Sequence, residues 1–294
     1  MKKLQGSVPA LITPMLSNQA VDYDTWAKYT QWHSQQASVA ALLLGSTAEA
    51  MLLEENEREQ LLTIASNSFS SMPYIVGVSA LDTQSAIRKA KQAKAFGASA
   101  ILLSPPYYIR PCQDALLAYF QSVAKGCDIP IILYCIPSRV GVSIANATIK
   151  RCAEDPQIIG IKDANDQRQD LAQLISQLPK TFSYLSGDDA NCLDLVEQGG
   201  DGVVSVGANV LPNQFQYMIN SALNKSSDSL DCYQEHLAPL LKVLALGPNP
   251  AVIKYLVSKV WGIDYSLRDP LLPLDRQTMD KINAFEIVKE CEHA

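Results

Sequence analysis

The 294-residue chain reads as an α/β protein, a (β/α)8 barrel with a C-terminal helical appendage. Three observations predict it. Eight short apolar runs, rich in β-branched residues and without polar alternation, have the pattern of strands covered on both faces. Amphipathic stretches of helical length separate these runs through most of the chain. No Gly-rich dinucleotide fingerprint follows any run, which counts against a doubly wound sheet.

The first run is Val8 to Pro14, and Asp22 then caps a helix carrying Trp26, Tyr29 and Trp32 that ends before Val39. Ala40 to Gly45 is the second strand, with helix-favouring composition from about Glu54 onward. The third strand, Tyr74 to Ser79, precedes a helix from Asp82 to Phe96. Its stripe is Ala86, Ile87, Ala90, Ala93 and Phe96, and Gly97 can terminate it. Ala98 to Tyr108 is the fourth strand with its loop, followed by a helix from Gln113 to about Lys125. Ile129 to Arg139 is the fifth, and a shorter helix through Ile144 to Cys152 leads to the sixth, Ile158 to Lys162. Phe182 to Asp189 and Asp201 to Asn209 are the seventh and eighth. Beyond Pro212 the chain reads as helix, with segments at Ser227 to Ala245, Pro250 to Trp261 and Asp275 to about Glu290. The polar patch Asn224 to Ser229 is the expected linker, dividing a barrel of residues 1–224 from a helical domain of residues 225–294.

Composition narrows the function classes. The 24 basic and 30 acidic side chains give a net charge of −6 with no basic stripe, so nucleic acid is not an expected partner. The first residues are too short and too broken by Pro9 and Pro14 for a signal peptide or a membrane span, and a cytoplasmic location with no membrane partner is the expectation. Seven scattered cysteines without a C-x-x-C pair suggest reduced thiols rather than a disulfide framework or zinc ribbon. His33, His236 and His293 have no ligand spacing, and no metal is expected.

In a barrel, chemistry collects at the carboxyl ends of the strands. The residues pooled there are Thr13, the Ser46-Thr47-Ala48-Glu49 turn, Tyr107 and Tyr108, Tyr134 with Arg139, Lys162 with Asp163, Asp188 with Asp189, and Ser205. Lys162 is the only lysine among them. A charged ammonium in low dielectric either finds a carboxylate, with Asp163 the nearest in sequence, or gives up its proton and becomes a nucleophile for a carbonyl carbon. Tyr134, one strand earlier, is either a proton carrier or a core tyrosine with a satisfied hydroxyl. Ser46 and Thr47 are placed where a turn enters a helix, as a carboxylate cradle or a simple cap. The planar fork of Arg139 suits a second carboxylate, or a surface ion pair. Asp188 and Asp189 read as a helix cap or a hydrogen-bonding scaffold.

Five segments in register run through nearly the whole chain: Gly45-Ser46-Thr47-Ala48-Glu49, Pro105 to Pro111 with Tyr107 and Tyr108, Tyr134-Cys135-Ile136-Pro137-Ser138-Arg139, Ile159-Gly160-Ile161-Lys162, and Leu185-Ser186-Gly187-Asp188-Asp189. Together they resemble the dihydrodipicolinate synthase and N-acetylneuraminate lyase family. The resemblance implies a class I aldolase acting on pyruvate through a Schiff base on Lys162, with no cofactor, and a homotetramer built as a dimer of dimers. It makes Tyr134 the proton carrier and Thr47 the relay to Tyr108, which a neighbouring subunit contributes. It assigns the pyruvate carboxylate to Ser46 and Thr47, and adds Val204 to the substrate-binding residues.

The Ser138-Arg139 pair looks like the synthase branch, in which the arginine holds the carboxylate of aspartate semialdehyde. That implies condensation of pyruvate with L-aspartate 4-semialdehyde to 4-hydroxy-tetrahydrodipicolinate, the first committed step of diaminopimelate and lysine synthesis. The alternatives are a lyase of the same family acting on a sugar-derived 2-keto acid, and a catalytically silent keto-acid binder. Ser46, Ala48, Cys135 and Val140 depart from the synthase pattern around the two carboxylate positions. At the positions of the family's lysine-inhibition site stand Glu55, Arg58, Leu81, Ser85 and Tyr107, of which only Tyr107 keeps the pattern. Weak or absent inhibition by lysine is expected.

Overall fold

The computed structural model describes residues 3–285. The strands are β1 (Gly6–Pro9), β2 (Ala41–Leu43), β3 (Tyr74–Val78), β4 (Ala100–Leu103), β5 (Ile131–Cys135), β6 (Ile158–Asp163), β7 (Ser183–Ser186) and β8 (Gly202–Ser205). Helices α1 (Tyr23–His33), α2 (Glu55–Ser68), α3 (Thr83–Ala95) and α4 (Gln113–Gly126) alternate with the first strands. After β5 come α5 (Pro137–Val140) and α6 (Asn146–Cys152), then α7 (Leu171–Ser176) and α8 (Cys192–Glu197) follow β6 and β7. The chain beyond β8 is α9 (Pro212–Leu223), α10 (Asp228–Cys232), a π-helical turn Tyr233–Leu237, α11 (Ala238–Leu244), α12 (Ala251–Trp261) and α13 (Arg276–Asn283).

The eight strands form one sheet in the order β1-β8-β7-β6-β5-β4-β3-β2, with parallel pairing from β3 through β8. A parallel bridge between Ala10 and Leu42, with Leu11 N–H donating to Leu42 O at 2.9 Å, joins the first strand to the second. This is the (β/α)8 barrel the alternation predicts, with helices in its C-terminal region.

Several boundaries move. The first strand is Gly6–Pro9 rather than Val8 to Pro14, with Pro9 as its last residue and Ala10 continuing it only as a single bridge to Leu42. The helices α7 and α8 are too short to carry a readable stripe, and the sequence reading passed over them. The segment expected as one helix from Ser227 to Ala245 is α10, the π turn and α11 in succession. Of the last expected helix, Asp275 caps α13 through Thr278 N–H, and the part beyond residue 285 lies outside the described residues.

By compactness the chain divides into two units. One comprises Pro73–Val204 with the amino-terminal segment through Gly6. Its strands are buried from end to end apart from Ile159, with Ile75, Ile101, Leu103, Ile131, Leu133, Ile161 and Leu185 at 2% exposure or less. Gly160 has a packing reason: a Cβ there would stand 2.6 Å from Ser183 O on β7. Gly97, at φ +91°, ends α3 as the sequence predicts.

The other unit comprises Ser7–Met72 and the chain from Ser205 onward. Asp22 caps α1 by accepting from Thr25 N–H, and Trp26 and Tyr29 are fully buried. Asn209 ties this unit together from inside: its Oδ1 accepts from Tyr29 Oη at 2.7 Å and Ile12 N at 3.1 Å, and its Nδ2 donates to Ala10 O at 2.7 Å. Tyr29, Trp32, His33 and Trp261 form an edge-to-face aromatic cluster. Among the described residues no helix is long and apolar enough to cross a membrane.

Candidate active site

The carboxyl ends of β5 and β6 lie side by side, with Tyr134 opposite Lys162 and Cys135 opposite Asp163. Successive residues of a strand point to opposite faces of the sheet, so Lys162 and Asp163 are separated by the pleat itself. Lys162 is 4% exposed, and its Nζ stands 4.5 Å from the centroid of the Tyr134 ring. Among the described residues no carboxylate lies within ion-pair distance of it.

The expectation that Lys162 could pair with Asp163 is therefore overturned. On the other face, Asp163 is held by Arg168: Nε donates to Oδ2 and Nη2 to Oδ1. Tyr184 Oη adds a bond to Oδ2 at 2.5 Å and Asn165 N one to Oδ1 at 3.1 Å. Arg168 also donates to Ile144 O at 3.1 Å, Asn146 Oδ1 at 2.7 Å and Cys135 Sγ at 3.3 Å. Burial opposes the guanidinium charge, but its hydrogen bonds and attraction to Asp163 outweigh that and hold its pKa above the ordinary value. Burial, and next the Asp163 charge, push the Tyr184 phenol up strongly and the Cys135 thiol up to about 12, so both stay protonated. Arg168 escaped the sequence reading; the signal was the question of what neutralises an acid at a buried strand end.

Tyr107 and Tyr108 follow β4 in a loop where Tyr108 (φ +70°) and Arg110 (φ +45°) take left-handed backbone. Tyr108 is 90% exposed, whereas Tyr107 is half-buried. Arg139 is exposed on the single turn α5, whose cap Gly141 accepts from Arg110 Nε at 2.8 Å. Val204 is buried on β8. Of the two readings of Asp188, helix cap or hydrogen-bonding scaffold, its contact matches the second: its Oδ1 accepts from Ala190 N at 2.8 Å in a tight turn. Among the described residues no group of His, Cys, Asp and Glu is placed to hold a metal ion.

In the second unit, Ser46 and Thr47 do not enter a helix. They lie in a succession of turns, and α2 begins only at Glu55 with its own capping box from Glu54 and Glu57. The reason is Glu49, whose left-handed φ of +54° breaks any helical path. Glu49 is buried and doubly tied: Oε1 meets Lys254 Nζ at 2.5 Å, and Oε2 accepts from Arg268 N at 2.8 Å. Burial lowers the Lys254 pKa, and Glu49 counteracts it. Arg268 in turn makes a two-bond pair with Glu57. Thr47, 3% exposed, accepts a hydrogen bond from Asn249 Nδ2 at 3.2 Å. Asn249, Lys254 and Arg268 are thus functional neighbours of the turn that sequence reasoning placed in an appendage.

Of the positions that the resemblance assigns to lysine inhibition, Glu55 and Arg58 fall in the second unit and Leu81, Ser85 and Tyr107 in the first. Arg58 is buried, with Nη1 on Ala50 O at 3.0 Å, and burial lowers its pKa. Glu55 opens α2. Asp82 caps α3 by accepting from both Ser85 N and Ser85 Oγ, Ser85 Oγ also accepts from Arg88 Nη2 at 2.7 Å, and Leu81 is 48% exposed.

An α/β barrel with a buried lysine and a tyrosine at adjacent strand ends defines the class, a barrel enzyme with its candidate chemistry at the carboxyl ends of the strands, and its homologues are lyases. The chain belongs to the Dihydrodipicolinate synthetase family, whose model matches residues 3–289. A 4-hydroxy-tetrahydrodipicolinate synthase of Alcanivorax borkumensis is 32% identical over 98% of both chains. The crystal structure of the chloride-inhibited dihydrodipicolinate synthase from Acinetobacter baumannii, complexed with pyruvate, superposes with a TM-score of 0.92 at 33% identity, covering 98% of this chain and 99% of that one. A monomeric dihydrodipicolinate synthase variant does so with a TM-score of 0.92 at 29% identity, covering 98% and 97%.

Proposed function

We propose that this lyase condenses pyruvate with L-aspartate 4-semialdehyde to 4-hydroxy-tetrahydrodipicolinate, through a Schiff base on Lys162 and without a cofactor. The observation that carries the reading is the division of labour across β6. Asp163 is fully engaged with Arg168 and Tyr184 on one face, which leaves the buried Lys162 amine beside Tyr134 on the other. The family membership and the pyruvate bound to the Acinetobacter baumannii relative support the substrate.

In this reading the Lys162 amine adds to the keto carbon of pyruvate, and loss of water gives the imine. The imine draws electrons from the methyl carbon, which loses a proton to become an enamine and attacks the aldehyde carbon. The substrate's own amine then displaces Lys162 and closes the ring. Tyr134 carries the protons, with Thr47 and Tyr108 as its relay. Ser46 and Thr47 hold the pyruvate carboxylate, Arg139 holds that of the semialdehyde, and Val204 lines the substrate. The exposure of Tyr108 suits a residue delivered to another subunit, in a homotetramer built as a dimer of dimers. A cytoplasmic location and a division at residues 224 and 225 into barrel and helical domain complete the proposal.

The test is borohydride reduction in the presence of pyruvate, followed by mass measurement and peptide mapping. The expected result is one adduct, on Lys162, lost in Lys162→Ala. No adduct in the unaltered protein would refute the reading. Turnover of hydroxy-keto acids in place of the semialdehyde would keep the imine and replace the aldehyde.

A further inference from the structure

We propose that Asn249 is a positioning residue of this reaction, which fixes the direction in which the Thr47 hydroxyl passes its proton. The inference rests on the proton-relay role proposed above for Thr47. Asn249 Nδ2 approaches Thr47 Oγ1 at 3.2 Å, and an amide nitrogen can only donate. One lone pair of Oγ1 is thereby filled. Thr47 keeps one lone pair and its single proton, which is what a relay needs: one proton to give and one place to receive.

Four carbonyls of the turn have donors of their own and do not need the Thr47 proton to be satisfied: Gly45 O from Ala48 N at 3.2 Å, Ser46 O from Glu49 N at 3.1 Å, Ala48 O from Thr13 Oγ1 at 2.8 Å and Ala50 O from Arg58 Nη1 at 3.0 Å. Asn249 itself is held in place. It stands just ahead of α12, whose residues from Ala251 to Ser258 are buried, and one turn further on Lys254 grips Glu49 at 2.5 Å. One helix start therefore seizes the Ser46–Glu49 turn at two points, a hydroxyl and a carboxylate. The charged groups at this junction are Glu49, Lys254, Arg58, Arg268 and Glu57: Glu49 pairs with Lys254 and accepts from Arg268 N, Arg268 pairs with Glu57, and Arg58 Nη1 donates to Ala50 O.

Two variants test the polarity. An ionised carboxylate in Asn249→Asp accepts where the amide donated, so Thr47 must spend its proton on it. Above neutral pH, kcat should fall at least about tenfold while pyruvate still forms its borohydride-trapped adduct on Lys162. As pH is lowered toward the carboxyl pKa, the protonated side chain donates as asparagine does, and the ratio of variant to unaltered kcat should climb. Asn249→Ala should lower kcat by a factor independent of pH, with the KM for pyruvate changed less than about threefold. Asn249→Ala carries the test by that split of kcat from KM if Asn249→Asp does not fold. A ratio for Asn249→Asp that is flat with pH, or an Asn249→Ala kcat within about twofold of the unaltered enzyme, would overturn the inference while the adduct leaves the parent reading intact. Absence of the adduct in the unaltered enzyme would overturn both.

Discussion

Replacing Arg168 by Met should destabilise the protein more than almost any other surface-distant polar change, because it strands a carboxylate. The side chains of Arg168 and Asp163 are 5% and 4% exposed, and the guanidinium supplies two of the four donors that Asp163 receives. Removing one partner of a buried ion pair costs about 3–5 kcal/mol, since the remaining charge keeps its desolvation penalty and loses its attraction. At about 2–4 °C per kcal/mol for a chain of this order of size, the unfolding midpoint should fall by roughly 6–20 °C. Scanning calorimetry at fixed protein concentration measures it. The companion variant Asp163→Asn with Arg168→Met removes both charges and should recover a large part of the loss. A single-variant loss under about 1 kcal/mol, or a double variant no more stable than the sum of its parts, would refute the account of Asp163 as a paired, buried anion.

Three further outcomes are expected. His33 is fully buried among Tyr29 and Trp32, and burial pushes its pKa down to about 3 from 6.5. Between those values the unfolded chain binds a proton that the folded state does not, so stability is whole above pH 6.5 and drains by up to about 1.4 kcal/mol per pH unit as pH falls toward 3. Urea titrations at pH 7 and pH 5 should show that loss, and His33→Phe should reduce it; equal pH dependence in the two proteins would refute the assignment. Arg139→Ala should lower kcat/KM for aspartate semialdehyde about 10-fold or more while the pyruvate adduct persists, and loss of the adduct itself would place Arg139 elsewhere. Lysine should inhibit weakly or not at all, because Ser85 is held by Asp82, the cap of α3, and Arg58 is buried on Ala50 O; half-maximal inhibition at sub-millimolar lysine in the coupled assay would refute it.

The periodicity of apolar runs determined the barrel, because strands buried on both faces leave an unbroken hydrophobic record whatever their neighbours are. It also determined that Lys162 and Tyr134 sit at the ends of successive strands, since that is a matter of counting along β5 and β6. Local chemistry determined the cap at Asp22, written three residues ahead of the N–H it accepts from. What holds these residues was decided only in three dimensions. Asn249, Lys254 and Arg268 leave no local pattern, because a hydrogen bond between residues two hundred positions apart, as in Asn249 with Thr47, has no period in the chain; Arg168 is only five positions from Asp163 but reaches it from an irregular loop, which has no period either. The same holds for Glu49, whose left-handed backbone keeps Ser46 and Thr47 in a run of turns, so that the turn read as entering a helix reaches one only at Glu55. The lysine at the end of β6 was legible as a costly charge. That its neighbour Asp163 is taken by Arg168, on the far side of the pleat, was decided by packing: a strand alternates its faces, and only the folded sheet shows which groups wait on each.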